Sequence, residues 1–126
     1  MIRDRFDYPI STTSQTAKDH YINAVDLLLA GQVGISKTFQ SAIEADPDFT
    51  LGYVGKARGL QFEGDMAAAK TTMDKAREIA RPLDAREQSH VNAFGLLIDG
   101  KGPLAYAAIR DHVDTYPRDA LVAQTC

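Results

Sequence analysis

Residues 53–76 read Tyr53-Val54-Gly55-Lys56-Ala57-Arg58-Gly59-Leu60-Gln61-Phe62-Glu63-Gly64-Asp65-Met66-Ala67-Ala68-Ala69-Lys70-Thr71-Thr72-Met73-Asp74-Lys75-Ala76. Apolar or small side chains recur every three or four residues on both sides of Gly64-Asp65, the period of a helix face rather than of a strand. Tyr53, Ala57, Leu60 and Phe62 fall on a first helix. Met66, Ala69, Met73 and Ala76, followed by Ile79, fall on a second, and the Gly64-Asp65 pair between them is a turn signal. Gly52, Gly55 and Gly59 each weaken the first helix by up to ~1 kcal/mol relative to alanine, so packing rather than propensity has to hold it.

The same pattern recurs outward from this hairpin. Shifting Ala57, Leu60, Gly64, Ala69 and Met73 forward by 36 residues meets Ala93, Leu96, Gly100, Ala105 and Ile109. Shifting Ala57, Leu60 and Gly64 back by 33 meets Ala24, Leu27 and Gly31, and shifting Met73 and Ala76 back by 34 meets Phe39 and Ala42. Three units of about 34 residues follow, a repeat period that implies stacked helix pairs. The spacing predicts helices near 14–30, 34–46, 49–63, 66–81, 84–99 and 103–115. Thr12-Thr13-Ser14-Gln15 has the hydroxyl and glutamine of a capping box, and Asp84-Ala85-Arg86-Glu87 has an aspartate cap with glutamate three residues on.

The expected fold is therefore all-α, an α-α superhelix of three helix pairs. Residues 1–13 form an N-terminal arm. The repeat domain spans 14–116, in units of about 14–46, 49–81 and 84–116, and 117–126 begin a further helix. No segment carries the sustained alternation of a β-strand.

Composition narrows the function classes. With 14 basic against 17 acidic residues the chain has a net charge of −3, and its basic residues are scattered, which disfavours nucleic acid. The longest apolar run, Leu27-Leu28-Leu29-Ala30, is far short of the ~18 residues of a membrane span, and the first residues lack the apolar core of a signal peptide. A single cysteine, Cys126, supplies no internal disulfide and no thiolate cage for a metal. A cytoplasmic protein without cofactor or metal is expected.

The middle unit resembles a tetratricopeptide repeat, with Tyr53, Ala57, Leu60, Gly64, Asp65, Ala69, Met73 and Ala76 at that family's packing positions in order and Lys56 departing from its usual large apolar residue. A narrower resemblance rests on Ser11-Thr12-Thr13-Ser14, Ala45-Asp46-Pro47-Asp48-Phe49, Pro82-Leu83, Arg86-Glu87-Gln88, His90-Val91 and Pro117-Arg118-Asp119, which look like the N-terminal part of the tetratricopeptide repeat protein 38 family. That resemblance implies an all-helical repeat array, part of a longer protein, with no catalytic activity to carry over.

Several motifs read more simply than they first look. Gly31-Gln32-Val33-Gly34-Ile35-Ser36-Lys37-Thr38 matches a P-loop at its first glycine, lysine and threonine but has Ser36 where the second glycine belongs, and it follows a helix rather than a strand. Nucleotide binding at Gly31–Thr38 is a remote alternative to an inter-helix turn. His20, His90 and His112 have no helical pair spacing for a metal, and Asp46-Pro47-Asp48, Asp4 and Asp7 lack the glycine and terminal glutamate of a calcium loop. Phe39, Ala42 and Ile43 form a core seam.

The expected function is a protein–protein interaction scaffold, not an enzyme; a regulatory or substrate-docking region of a larger enzyme is the alternative. Repeat superhelices present the inner side of their first helices as a concave groove. By register that face carries Lys18, Tyr21, Val25 and Leu28; Leu51, Val54, Arg58 and Gln61; and Glu87, His90, Phe94 and Leu97. Tyr21, Val25 and Glu87 stand where the family's carboxylate clamp uses lysine, asparagine and lysine, which disfavours chaperone-tail recognition. The groove is expected to take a protein or peptide partner, or the C-terminal remainder of the chain itself. Leu121 and Val122 are expected to leave Tyr106, Ile109 and Val113 uncovered, giving an apolar end open to self-association.

Overall fold

A computed structural model describes residues 2–125; Met1 and the lone cysteine, Cys126, lie outside the described residues. The fold is all-α: α1 (Gln15–Ala30), α2 (Ile35–Ala45), α3 (Thr50–Phe62), α4 (Met66–Glu78), α5 (Ala85–Ile98), α6 (Gly102–Thr115) and the short α7 (Ala120–Ala123). Six of these lie within three residues of the helices expected from periodicity. The largest difference is the end of α4, where Ile79 turns to extended backbone ahead of Pro82.

The three intra-pair turns share one geometry. Gly31, Gly64 and Gly100 all have positive φ, at 65°, 85° and 76°. Each glycine N–H donates to the carbonyl three residues back (Leu28, Gln61, Leu97), and the next residue's N–H donates to the carbonyl five back (Leu27, Leu60, Leu96). This is the Schellman closure, and it needs a residue that tolerates left-handed backbone. The glycines sit 33 and 36 residues apart, the offsets of the sequence repeat.

Within each pair, α1 packs on α2, α3 on α4, and α5 on α6, while α2 and α3 join the first two pairs. Ala69, on α4, and Ala105, on α6, are both buried. Gly55 and Gly59 let α3 lie against α2: a methyl group at Gly55 would overlap the Phe39 ring, and one at Gly59 would come 2.7 Å from Ile35 Cγ2. Phe39, Phe49, Phe94, Leu28, Leu51 and Met73 fill the core, with the Tyr21 ring 5.8 Å from Phe39 and 5.1 Å from Phe49. Phe62, expected on the packed side of α3, instead points out at 50% exposure with the Arg58 guanidinium 4.7 Å above its ring.

Two features depart further from expectation. Ser14, not Thr12, caps α1 by accepting the Ala17 N–H, while the Thr12 hydroxyl is buried and donates to Asp46 Oδ2 at 2.6 Å. At the other end, Leu121 and Val122 are buried and α7 reaches back to α1, where Gln124 Nε2 donates to the Leu28 carbonyl at 3.2 Å. Ile109 is buried and Val113 half-buried, so of the expected apolar patch only Tyr106 is exposed. α7 thus packs on α5 and α6 of the third pair and also bridges to α1 of the first.

Candidate functional site

The arm is a folded hairpin loop rather than a loose extension. Asp4 N donates to the Tyr8 carbonyl at 2.8 Å, Ile10 N donates to the Ile2 carbonyl at 3.0 Å, and Arg3 and Pro9 form an isolated antiparallel bridge. The Asp4 carboxylate accepts the Phe6 and Tyr8 amides at 2.9 and 3.0 Å and stabilises the turn; Asp7 takes a left-handed φ of 66°. This loop lies against α1 and α5, the same face expected to be a groove.

Two polar junctions hold it. At the first, Arg81 donates to both oxygens of Asp46, at 2.5 and 2.9 Å, and to the Ser11 carbonyl at 2.9 Å. The Arg81 guanidinium, with the Thr12 hydroxyl and the Asp48 amide, holds the Asp46 carboxyl below the usual carboxylate range against the opposing effect of burial. This junction ties the arm, the end of α2 and the α4–α5 linker together, so Asp46 closes α2 and forms an ion pair rather than a calcium loop.

The second junction is built on α5, where the spacing of Arg86, Ser89 and His90 places them on one side of the helix. Arg86 Nη1 donates to Asp119 Oδ2 at 2.9 Å, and its Nη2 donates to the Pro9 carbonyl at 3.0 Å. His112 Nε2 lies 2.8 Å from the same Asp119 oxygen, and its Nδ1 lies 2.7 Å from Ser89 Oγ. His90 Nδ1 is 3.6 Å from Asp119 Oδ2, and its ring packs on Phe94 at 4.7 Å. Burial alone would push the Asp119 carboxyl up, but His90, His112 and Arg86 beside it hold it well below the usual range. Glu87 completes the α5 capping box with Asp84 and also accepts the Ser11 amide at 2.8 Å and the Ser11 hydroxyl at 2.6 Å.

Ser89, His112 and Asp119 make a hydroxyl–imidazole–carboxylate chain, but its carboxylate is shared with Arg86, and Ser89 lines none of the three cavities beside the arm. The arrangement acts as a clasp: it joins α5, α6, the start of α7 and the arm through one buried carboxylate.

Of the twelve residues assigned to the inner face, Tyr21, Val25, Leu28, Leu51, Val54, Glu87, His90 and Phe94 are buried, and Lys18, Arg58, Gln61 and Leu97 are half-buried. In this conformation the arm and α7 cover the ends of that face: Asp4, Arg5 and Phe6 share a small cavity with Tyr21, Val25 and Leu121. Sequence reasoning placed Glu87 and His90 on the face but missed Arg86, His112 and Asp119. The one available signal was a lone Arg at the first turn of α5 and an Asp after Pro117, neither of which names its partner.

At Gly31–Thr38, Gly31 ends α1 and Gly34, at φ 84°, begins α2. The amide and hydroxyl of Ser36 both donate to the Glu63 carboxylate, at 3.1 and 2.7 Å, and the Thr38 hydroxyl donates to the Gly34 carbonyl. A carboxylate thus sits at the α2 N-terminus where an anionic ligand would otherwise be drawn. Among the described residues no helix is long and apolar enough to cross a membrane, and no group of three or more His, Cys, Asp or Glu side chains is arranged to hold a metal ion. Comparison with family models, with curated proteins and with solved structures gave no match.

Proposed function

We propose that the chain is a protein–protein interaction scaffold whose three helix pairs are tetratricopeptide-like units of an α-α superhelix, as in the N-terminal part of the tetratricopeptide repeat protein 38 family, acting in the cytoplasm without catalysis. The observation that carries this reading is the thrice-repeated Schellman turn at Gly31, Gly64 and Gly100, in register with the sequence repeat. A repeat array offers long surfaces to partners. Of the exposed large apolar side chains, Val33, Phe62, Met66 and Leu104 stand in or within about one helical turn of those three turns, and Tyr106 lies further along α6. In this reading that end of the helix pairs is the contact surface.

Affinity capture with the intact chain, followed by titration of the purified partner against wild type and against a Phe62→Asp/Leu104→Asp variant, tests the reading. A saturable complex weakened by the variant supports it. Substrate turnover by the chain alone, or retention on immobilised ATP that Lys37→Ala abolishes, would replace it.

A further inference from the structure

We infer that the inner face of α5, with Arg81 and Arg118 at its margins, is a receptor for an extended peptide of the order aromatic–proline–aliphatic–hydroxyl, and that the chain fills it with its own Tyr8-Pro9-Ile10-Ser11. The inference rests on the scaffold reading and names the partner chemistry for one surface of it.

Three of four consecutive arm residues, Tyr8, Pro9 and Ser11, are each read by groups lying some 70 residues or more away in sequence. Two guanidiniums stand over the Tyr8 ring, Arg86 at 4.8 Å and Arg118 at 4.9 Å, with the Tyr116 ring edge-on at 6.1 Å. The Pro9 carbonyl accepts from Arg86, and Ile10 is buried. Ser11 is held at three points: its amide and hydroxyl donate to Glu87 and its carbonyl accepts from Arg81. Bonds to main-chain groups serve any extended peptide, while the aromatic seat and the carboxylate aimed at a hydroxyl choose among peptides.

The arm is an imperfect occupant. Its turn passes through the left-handed Asp7, a conformation that costs a non-glycine residue energy, and the buried Arg86 Nε has no hydrogen-bond partner. Tethering nevertheless gives the arm a local concentration on the order of millimolar, so a free peptide of equal quality competes poorly until the arm's grip is reduced.

The probe is a fluorescein-labelled peptide with the sequence of residues 4–13, titrated by anisotropy against the full chain. Tyr8→Ala with Ser11→Ala loosens the arm while keeping its Ile10 and Thr12 anchors. That variant should bind the peptide at least ~10-fold more tightly than wild type. Adding Glu87→Gln should remove the gain. A variant of unchanged helix content that gains no affinity, or a gain that survives Glu87→Gln, overturns the inference. Should the double variant unfold, hydrogen exchange on wild type decides: the Ser11 amide should exchange by local opening, faster than the Phe94 amide, and exchange of both only on global unfolding overturns it. In either failure, a partner still bound through the turn end leaves the scaffold reading standing.

Discussion

Arg86 and Asp119, 33 residues apart in sequence, form an ion pair at 2.9 Å with side chains only 3% and 4% exposed. Asp119 lies just before α7 and Arg86 in the first turn of α5, so the pair fixes where the end of the chain returns to the body of the fold. A charge pair this deeply buried gains little net stability over a well-packed apolar pair, but losing one partner strands the other. Arg86→Met should therefore cost up to about 3–5 kcal/mol in denaturant unfolding, and because His90 and His112 also face Asp119, Arg86→Met/Asp119→Leu should cost less than the two single changes together rather than nothing. Additive losses in the double variant would show that the two side chains act independently.

Acid should unfold the protein through the two clasping carboxylates. Asp46 and Asp119 are both held below the ordinary carboxylate value, so each contributes stability that is complete above about pH 4 and withdrawn as pH falls through its lowered folded value. Asp4, raised mainly by burial, has the opposite sign: its contribution is present below the ordinary value and lost as pH rises through the raised one. Unfolding free energy measured from pH 7 to pH 2 should fall below about pH 4. In Asp46→Asn that fall should be shallower.

The two kinds of glycine should respond differently to alanine. Gly55→Ala pushes a methyl group into the Phe39 ring and should cost about 1–3 kcal/mol through overpacking of the α2–α3 seam. Gly64→Ala meets open space, and its cost of about 1–2 kcal/mol comes from the left-handed backbone alone. As read by thermal melting, the loss from Gly55→Ala should be smaller in a Phe39→Leu background than in wild type, whereas the loss from Gly64→Ala should be the same in both.

Ala69→Leu and Ala105→Leu should each lower stability by about 1–3 kcal/mol, because both alanines are fully buried and the repeat register assigns both to the close approach of the helices of their pair. Unchanged melting temperatures would mean that the two positions are not equivalent seams.

Ile109→Glu should destabilise the chain rather than change its association state, since Ile109 is 2% exposed. Burying an unpaired carboxylate there costs several kcal/mol. Sedimentation of the folded fraction should show the same species as wild type.

The period of apolar and glycine positions by itself determined the all-helical class, six of the helices within a few residues, and the three intra-pair turns. These features are local: helix periodicity, the Asp84–Glu87 capping box and the left-handed glycine closures are each decided within a handful of neighbouring residues. The sequence also marked Tyr21, Val25, Glu87 and His90 as inward-facing, because register assigns a side of a helix. It could not say what that side meets. Only the tertiary structure brought the arm and α7 onto it, through Ser11–Glu87, Arg86–Asp119 and Gln124–Leu28, contacts spanning 76, 33 and 96 residues. Such pairings depend on how the helix pairs stack in three dimensions. No periodicity along the chain records that arrangement, so Arg86, His112 and Asp119 read as ordinary polar residues until the fold places them around one buried carboxylate.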